Sequence, residues 1–164
     1  MGDLPFQTLE LRGTIAARQP VPRGHHTMSL PNDRDPHDPA SEDLSGLHIL
    51  LVEDSWHVGN AMKNLLRALG ATVSGPAATS AEAERLLAEQ RPDVAVVDFS
   101  LRHGERAQGL IGKLNALGVQ VVVVSGYEEV PLTPGTIATV LQKPVREAEL
   151  VAALRPAAVQ KAAR

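Results

Sequence analysis

The chain has 164 residues, no cysteine, 2% aromatic residues and a formal net charge of −3. The missing cysteine excludes a disulfide framework and a thiolate zinc site, and the slightly acidic charge gives no electrostatic case for binding DNA or RNA. No apolar stretch approaches the roughly 18 residues of a membrane span, and the N-terminus lacks the basic-then-apolar order of a signal peptide, so a cytoplasmic location is expected.

Residues 1–45 differ from the rest. A short apolar segment, LPFQTLEL, is followed by a stretch holding Pro20, Pro22, Pro31, Pro36 and Pro39 among His and Asp. Such a stretch has no apolar period and buries too little surface to offset its ordering entropy, so a disordered tail is expected. His25, His26 and His37 lie within it, but nothing fixes a ligand geometry, and a solvated polar tail is the reading kept. Met28 offers an alternative start.

From Leu47 onward the pattern is regular. HILLVED (48–54) reads as a first strand, and HVGNAMKNLLRALG (57–70) as an amphipathic helix with Val58, Met62, Leu65, Leu66 and Leu69 on one face and Gly70 as its stop. ATVSG (71–75) is a second strand. Thr79 with Glu82 forms a capping box for a helix over TSAEAERLLAEQ (79–90). Pro92 breaks the chain before the third strand, DVAVVD (93–98), which a loop, FSLRHGER, follows. AQGLIGKLNALG (107–118) is a helix stopped by Gly118, and VQVVVVSG (119–126) a fourth strand. Pro131, Pro134 and Gly135 leave only a short or irregular helix in 127–136. IATVLQKP (137–144) is the fifth strand and REAELVAALR (146–155) the last helix.

Strands that alternate with helices imply an α/β fold: a doubly wound, five-stranded parallel sheet with helices on both faces. The expected organisation is a tail over 1–45, one domain over 46–158 and a short C-terminal tail over 159–164.

Buried apolar runs that end in carboxylates deliver acids to the rim outside the strand C-termini, where open α/β sheets bind ligands. The first strand brings Glu53 and Asp54, the third Asp98, the fourth Ser125 and the fifth Lys143. Taken singly, each has a plain structural reading as a cap, turn residue or solvated charge; their joint order on matching strand ends favours a site. Three clustered acids need a compensating cation, and oxygen donors suit Mg²⁺. The chemistry that fits is phosphoryl transfer to a carboxylate. Asp98 is the expected nucleophile, and Glu53, Asp54, Asp98 and the backbone carbonyl of Ser100 are the expected metal ligands. Lys143 and Ser125 are expected to contact phosphoryl oxygens.

LVEDS (51–55), VVDFSL (96–101), VVSGY (123–127) and LQKPV (141–145) together resemble the response-regulator receiver domain, whose fold is called CheY-like or flavodoxin-like. The resemblance covers about residues 47–155. It implies Glu53 and Asp54 as the acid pair, Asp98 as phosphoacceptor, Ser125 as the switch hydroxyl and Lys143 as the invariant-type lysine. It implies a phosphoryl group taken from a histidine kinase or a phosphotransfer protein and then lost by slow self-catalysed hydrolysis. On that basis the chain is not an enzyme in its own right.

Two departures stand out. Receivers typically carry an aromatic residue three positions before the lysine; here that residue is Val140. The sequence Ser125-Gly126-Tyr127 before a proline-rich segment is similar to a "FATGY"-like subgroup of single-domain receivers that pair with kinases of the HWE/HisKA2 type. The expectation is that phosphorylation orders residues 127–137 rather than turning an aromatic inward. Secondly, only about twenty residues follow Lys143, too few for an output module. Signalling by binding a downstream regulator protein is therefore expected, with no DNA and no membrane as partner.

The competing reading is a phosphorylation-independent interaction module on the same fold. An aspartyl phosphatase is disfavoured because Ser100 stands where a general acid would be needed, and a nucleotide site because no GxxxxGK[ST] loop is present. A flavodoxin-like cofactor site is disfavoured because acids line the rim. Ser100 and Tyr127 offer no group to position water, so a phosphoryl lifetime of minutes or longer is expected. Trp56, His57 and His103 are expected at the rim as exposed residues, with Trp56 close enough to report on metal binding.

Overall fold

A computed structural model describes residues 43–164. The expected disordered tail, including LPFQTLEL, His25, His26 and His37, lies outside the described residues, apart from its last few positions.

Five strands form one parallel sheet in the order β2-β1-β3-β4-β5. They are β1 (His48–Val52), β2 (Thr72–Ala77), β3 (Val94–Asp98), β4 (Gln120–Ser125) and β5 (Thr139–Gln142). Four α-helices accompany them: α1 (Trp56–Ala68), α2 (Ser80–Glu89), α3 (Gln108–Ala116) and α4 (Glu147–Ala162). The expected doubly wound sheet is thus present, and among the described residues no helix is long and apolar enough to cross a membrane.

The central strands β1 and β3 are buried along their whole length, as continuous apolar runs in a doubly covered parallel sheet should be. Their side chains alternate between two cores. Leu50, Val52, Ala95, Val97 and Val123 meet Ala83, Leu110, Ile111 and Leu114 of α2 and α3 on one face. Ile49, Leu51, Val96, Val122 and Val124 meet Leu66, Leu150 and Leu154 of α1 and α4 on the other.

Several element ends depart from expectation. β2 continues through Pro76 to Ala77, past the expected end at Gly75. Its partner register jumps from Leu50↔Ser74 to Val52↔Ala77, which marks a bulge. Gly75 makes it possible: its φ is +101°, and a Cβ there would lie 2.3 Å from the Leu51 carbonyl oxygen. β2 is an edge strand, so Pro76 sacrifices no essential ladder bond.

The cap of α2 is half the expected box. Thr79 Oγ1 accepts the Glu82 N–H at 3.2 Å, but the Glu82 carboxylate reaches the Ala78 N–H rather than that of Thr79. Helix α4 runs to Ala162, beyond both Arg155 and the expected boundary at 158. Pro156 deprives it of one helical bond. Packing carries it onward: Leu150, Val151, Leu154 and Ala157 are buried, and Lys161 pairs with Asp93 at 3.0 Å. At the other end Leu44 is buried and its N–H bonds the Leu69 carbonyl, so packed structure begins before residue 46.

Residues 127–138 contain no helix, in line with their prolines. Val130, Leu132 and Ala138 touch the α2/α3 core without being fully buried. Val140 pairs in register with Val123 and so shares that face, where it is 43% exposed.

Candidate functional site

Each strand C-terminus is held to its neighbour by backbone bonds, and these bonds set the rim. The Glu53 N–H bonds the Ala77 carbonyl, the Phe99 N–H bonds the Val124 carbonyl, and the Lys143 N–H bonds the Ser125 carbonyl. The residues just past β1, at the end of β3, at the end of β4 and just past β5 therefore come together, as the sequence reading required.

Glu53 and Asp98 are buried, at 4% and 5% exposure, and Asp54 is half-buried. One carboxylate oxygen from each of Glu53, Asp54 and Asp98 lies within 4.8 Å of the others. Lys143 Nζ stands 2.6 Å from Asp98 Oδ2 and 3.6 Å from Glu53 Oε2. Asp98 Oδ1 accepts the Ser100 N–H at 3.0 Å, and Glu53 Oε1 the Ser55 N–H at 3.0 Å. Ser125 is buried, and its Oγ accepts the Tyr127 N–H at 3.0 Å.

Burial pushes Glu53 above the ordinary carboxylate value, and the Asp98 and Asp54 charges add to this, against the Ser55 N–H and the Lys143 charge. For Lys143, burial alone would favour the neutral amine. The hydrogen bond and charge of Asp98, aided by Glu53, outweigh it and hold the ammonium above its ordinary value. One lysine thus serves two buried acids, and the set remains short of positive charge.

That shortage tests whether a metal fits. All three side chains offer hard oxygen donors that converge on one point, and a divalent cation would offset the charge that burial makes costly. The loop after β3 carries the Ser100 carbonyl. Ser100 and Arg106 form an antiparallel bridge whose two bonds run from the Leu101 N–H to the Glu105 carbonyl and from the Ala107 N–H to the Phe99 carbonyl. Neither uses the Ser100 carbonyl. The donor set therefore suits Mg²⁺.

His57 is the second residue of α1, exposed, with its ring edge-on to Trp56 at 5.0 Å between centroids. Trp56 is 65% exposed and opens the same helix. His103 is exposed at a positive φ of 60° in a short 3₁₀ turn over Arg102–Gly104. Two residues were missed. The Arg102 guanidinium donates to the Asp54 carbonyl at 3.0 and 3.3 Å, and that of Arg106 lies over the rings of Phe99 and Tyr127. Both sit in a loop whose charges give no periodic signal.

Known proteins share this fold. The family profile "Response regulator receiver domain" matches residues 49–155. A search of curated proteins finds no match. Among solved structures, SdrG from Sphingomonas melonis Fr1 is 28% identical with a TM-score of 0.58, covering 70% of this chain and 96% of its own. A CheY-like receiver domain from Methylobacillus flagellatus is 23% identical with a TM-score of 0.59, covering 68% and 98%. The response regulator PhyR from Brucella abortus is 21% identical with a TM-score of 0.62, covering 75% of this chain and 52% of its own, so this chain spans about half the length of PhyR. The chain belongs to the response regulator receiver domain family, a family of signalling domains rather than enzymes.

Proposed function

We propose that this receiver accepts a phosphoryl group on Asp98 from the phosphohistidine of a histidine kinase, of the HWE/HisKA2 type, or of a phosphotransfer protein. The phosphorus–nitrogen bond breaks as a phosphorus–oxygen bond forms at the Asp98 carboxylate, and the released imidazole regains a neutral nitrogen. Mg²⁺, held by Glu53, Asp54, Asp98 and the Ser100 carbonyl, would supply positive charge to the phosphoryl oxygens when bound. The observation that carries this reading is the meeting of three carboxylates within 4.8 Å with an ammonium 2.6 Å from Asp98.

The protein groups have separate tasks. The Ser100 N–H, already on Asp98 Oδ1, orients the carboxylate. Lys143 transfers its ion pair to the incoming oxygens, which costs little reorganisation because it is already in place. The Ser125 hydroxyl turns to donate to a phosphoryl oxygen. That turn disturbs its bond to the Tyr127 N–H, so residues 127–137 respond by adopting a more ordered arrangement. Val140, exposed on the same face, leaves no aromatic ring to do this work. The product is a changed surface that binds a downstream regulator protein.

The test is incubation of the full chain with a small acyl-phosphate donor and Mg²⁺. An acid-stable, base-labile acyl phosphate that lasts minutes or longer and fails to form with EDTA supports the proposal. No incorporation with either donor or kinase sinks it.

A further inference from the structure

Arg106 links the phosphoacceptor strand to the segment after Ser125. Its guanidinium carbon lies 5.7 Å from the centroid of the Phe99 ring and 5.3 Å from that of the Tyr127 ring. Phe99 is the residue after Asp98 and is fully buried, so one side of the contact cannot move without disturbing the core. Tyr127 is half exposed and has two tethers: its N–H on Ser125 Oγ at 3.0 Å, and its ring under Arg106. Arg106 itself is fixed at the backbone by its bridge to Ser100, whose N–H holds Asp98. The cation is therefore anchored to the phosphoacceptor loop at its base and to the half-exposed Tyr127 ring at its tip.

We propose that Arg106 is a positioning residue that clamps Tyr127 in the resting arrangement and sets how readily the domain responds to phosphorylation. This rests on the phosphoacceptor reading above. Movement of Ser125 Oγ toward a phosphoryl oxygen takes it away from the Tyr127 N–H, and the Arg106–Tyr127 contact is then what opposes departure of the ring. Cation–π attraction at a partly exposed site shifts such an equilibrium by about two- to five-fold. By linkage, weakening the resting form by that factor tightens binding of any ligand specific for the other form by the same factor.

The probe is beryllium fluoride with Mg²⁺, a phosphoryl mimic, titrated into the full chain and read by amide resonances of residues 125–138. Arg106→Gln is expected to lower the half-saturating concentration about two- to five-fold; Arg106→Lys, which keeps the cation, is expected to stay closer to wild type. Tyr127→Leu should match Arg106→Gln, and the double variant should show no further change. If Arg106→Gln fails to fold, Tyr127→Leu carries the same expectation. An unchanged midpoint overturns the clamp. A weakened midpoint also overturns it, because Arg106 would then be attracting the anion directly. Should wild type not bind the mimic at all, the phosphoacceptor reading has failed instead. The clamp is then judged by amide exchange at Tyr127 and Glu128 without ligand, which must still be two- to five-fold faster in Arg106→Gln.

Discussion

The Lys143 ammonium reaches Asp98 Oδ2 at 2.6 Å and Glu53 Oε2 at 3.6 Å, so a cation delivered at the end of β5 serves buried acids from β1 and β3. Removing one partner of such a set leaves uncompensated charge in a dry place. Lys143→Met should slow phosphorylation by a small donor on the order of 10²-fold. It should also lower stability at neutral pH. Because the lysine is held above its ordinary value in the fold, its contribution is fully present below that ordinary value and is lost only as pH rises through the higher folded one. Urea unfolding should therefore show a steady deficit through neutral pH that narrows only as pH rises through the lysine's folded value.

Glu53 carries the opposite cost. Its folded pKa lies above the ordinary value because it is buried, so the folded state gains stability from the proton below that value and loses it as pH rises through the folded pKa. Mg²⁺ bound as proposed would replace the missing positive charge only where the acid is ionised. Thermal unfolding with and without Mg²⁺ should show a larger increase in Tm at about pH 8 than at about pH 5. Glu53→Gln should raise Tm without metal and flatten this dependence.

At the opposite end of the sheet Asp93 behaves as an ordinary stabilising carboxylate. Burial opposes its charge, but the His48 N–H at 2.9 Å and Lys161 at 3.0 Å prevail and hold its pKa below the usual value. Its contribution is present above the ordinary pKa and disappears as pH falls through the lower folded one. Asp93→Asn should cost about 1 kcal/mol at neutral pH and much less in acid, measured by urea unfolding at both.

The bulge in β2 gives a test of the fold alone. Gly75→Ala places a Cβ 2.3 Å from the Leu51 carbonyl at a φ of +101°. A loss on the order of 1–3 kcal/mol is expected from the backbone alone, with the displaced Pro76 loosening its contact with α1 at Gly59. A circular-dichroism melt reads it directly.

Strand ends were the legible part of this protein. Apolar runs closed by Glu53, Asp54, Asp98 and Ser125 could be placed because buried parallel strands are short, continuous and apolar. Lys143 followed from the order of the strands. The extension of β2 through Gly75-Pro76 was not legible, because a bulge depends on a partner strand far along the chain. Helix α4 beyond Pro156 was missed for a similar reason: local propensity says stop, while burial of Ala157 and the Lys161–Asp93 pair say continue. Arg102 and Arg106 were invisible because what they do depends on ring and carbonyl positions that no spacing encodes.

The most direct test of the phosphoacceptor assignment is the intact mass of the full chain after treatment with acetyl phosphate and Mg²⁺, for wild type beside Asp98→Asn. A single phosphoryl adduct on wild type and none on the variant is the predicted result. An adduct of equal size on both would place the phosphoryl group elsewhere and contradict the assignment of Asp98.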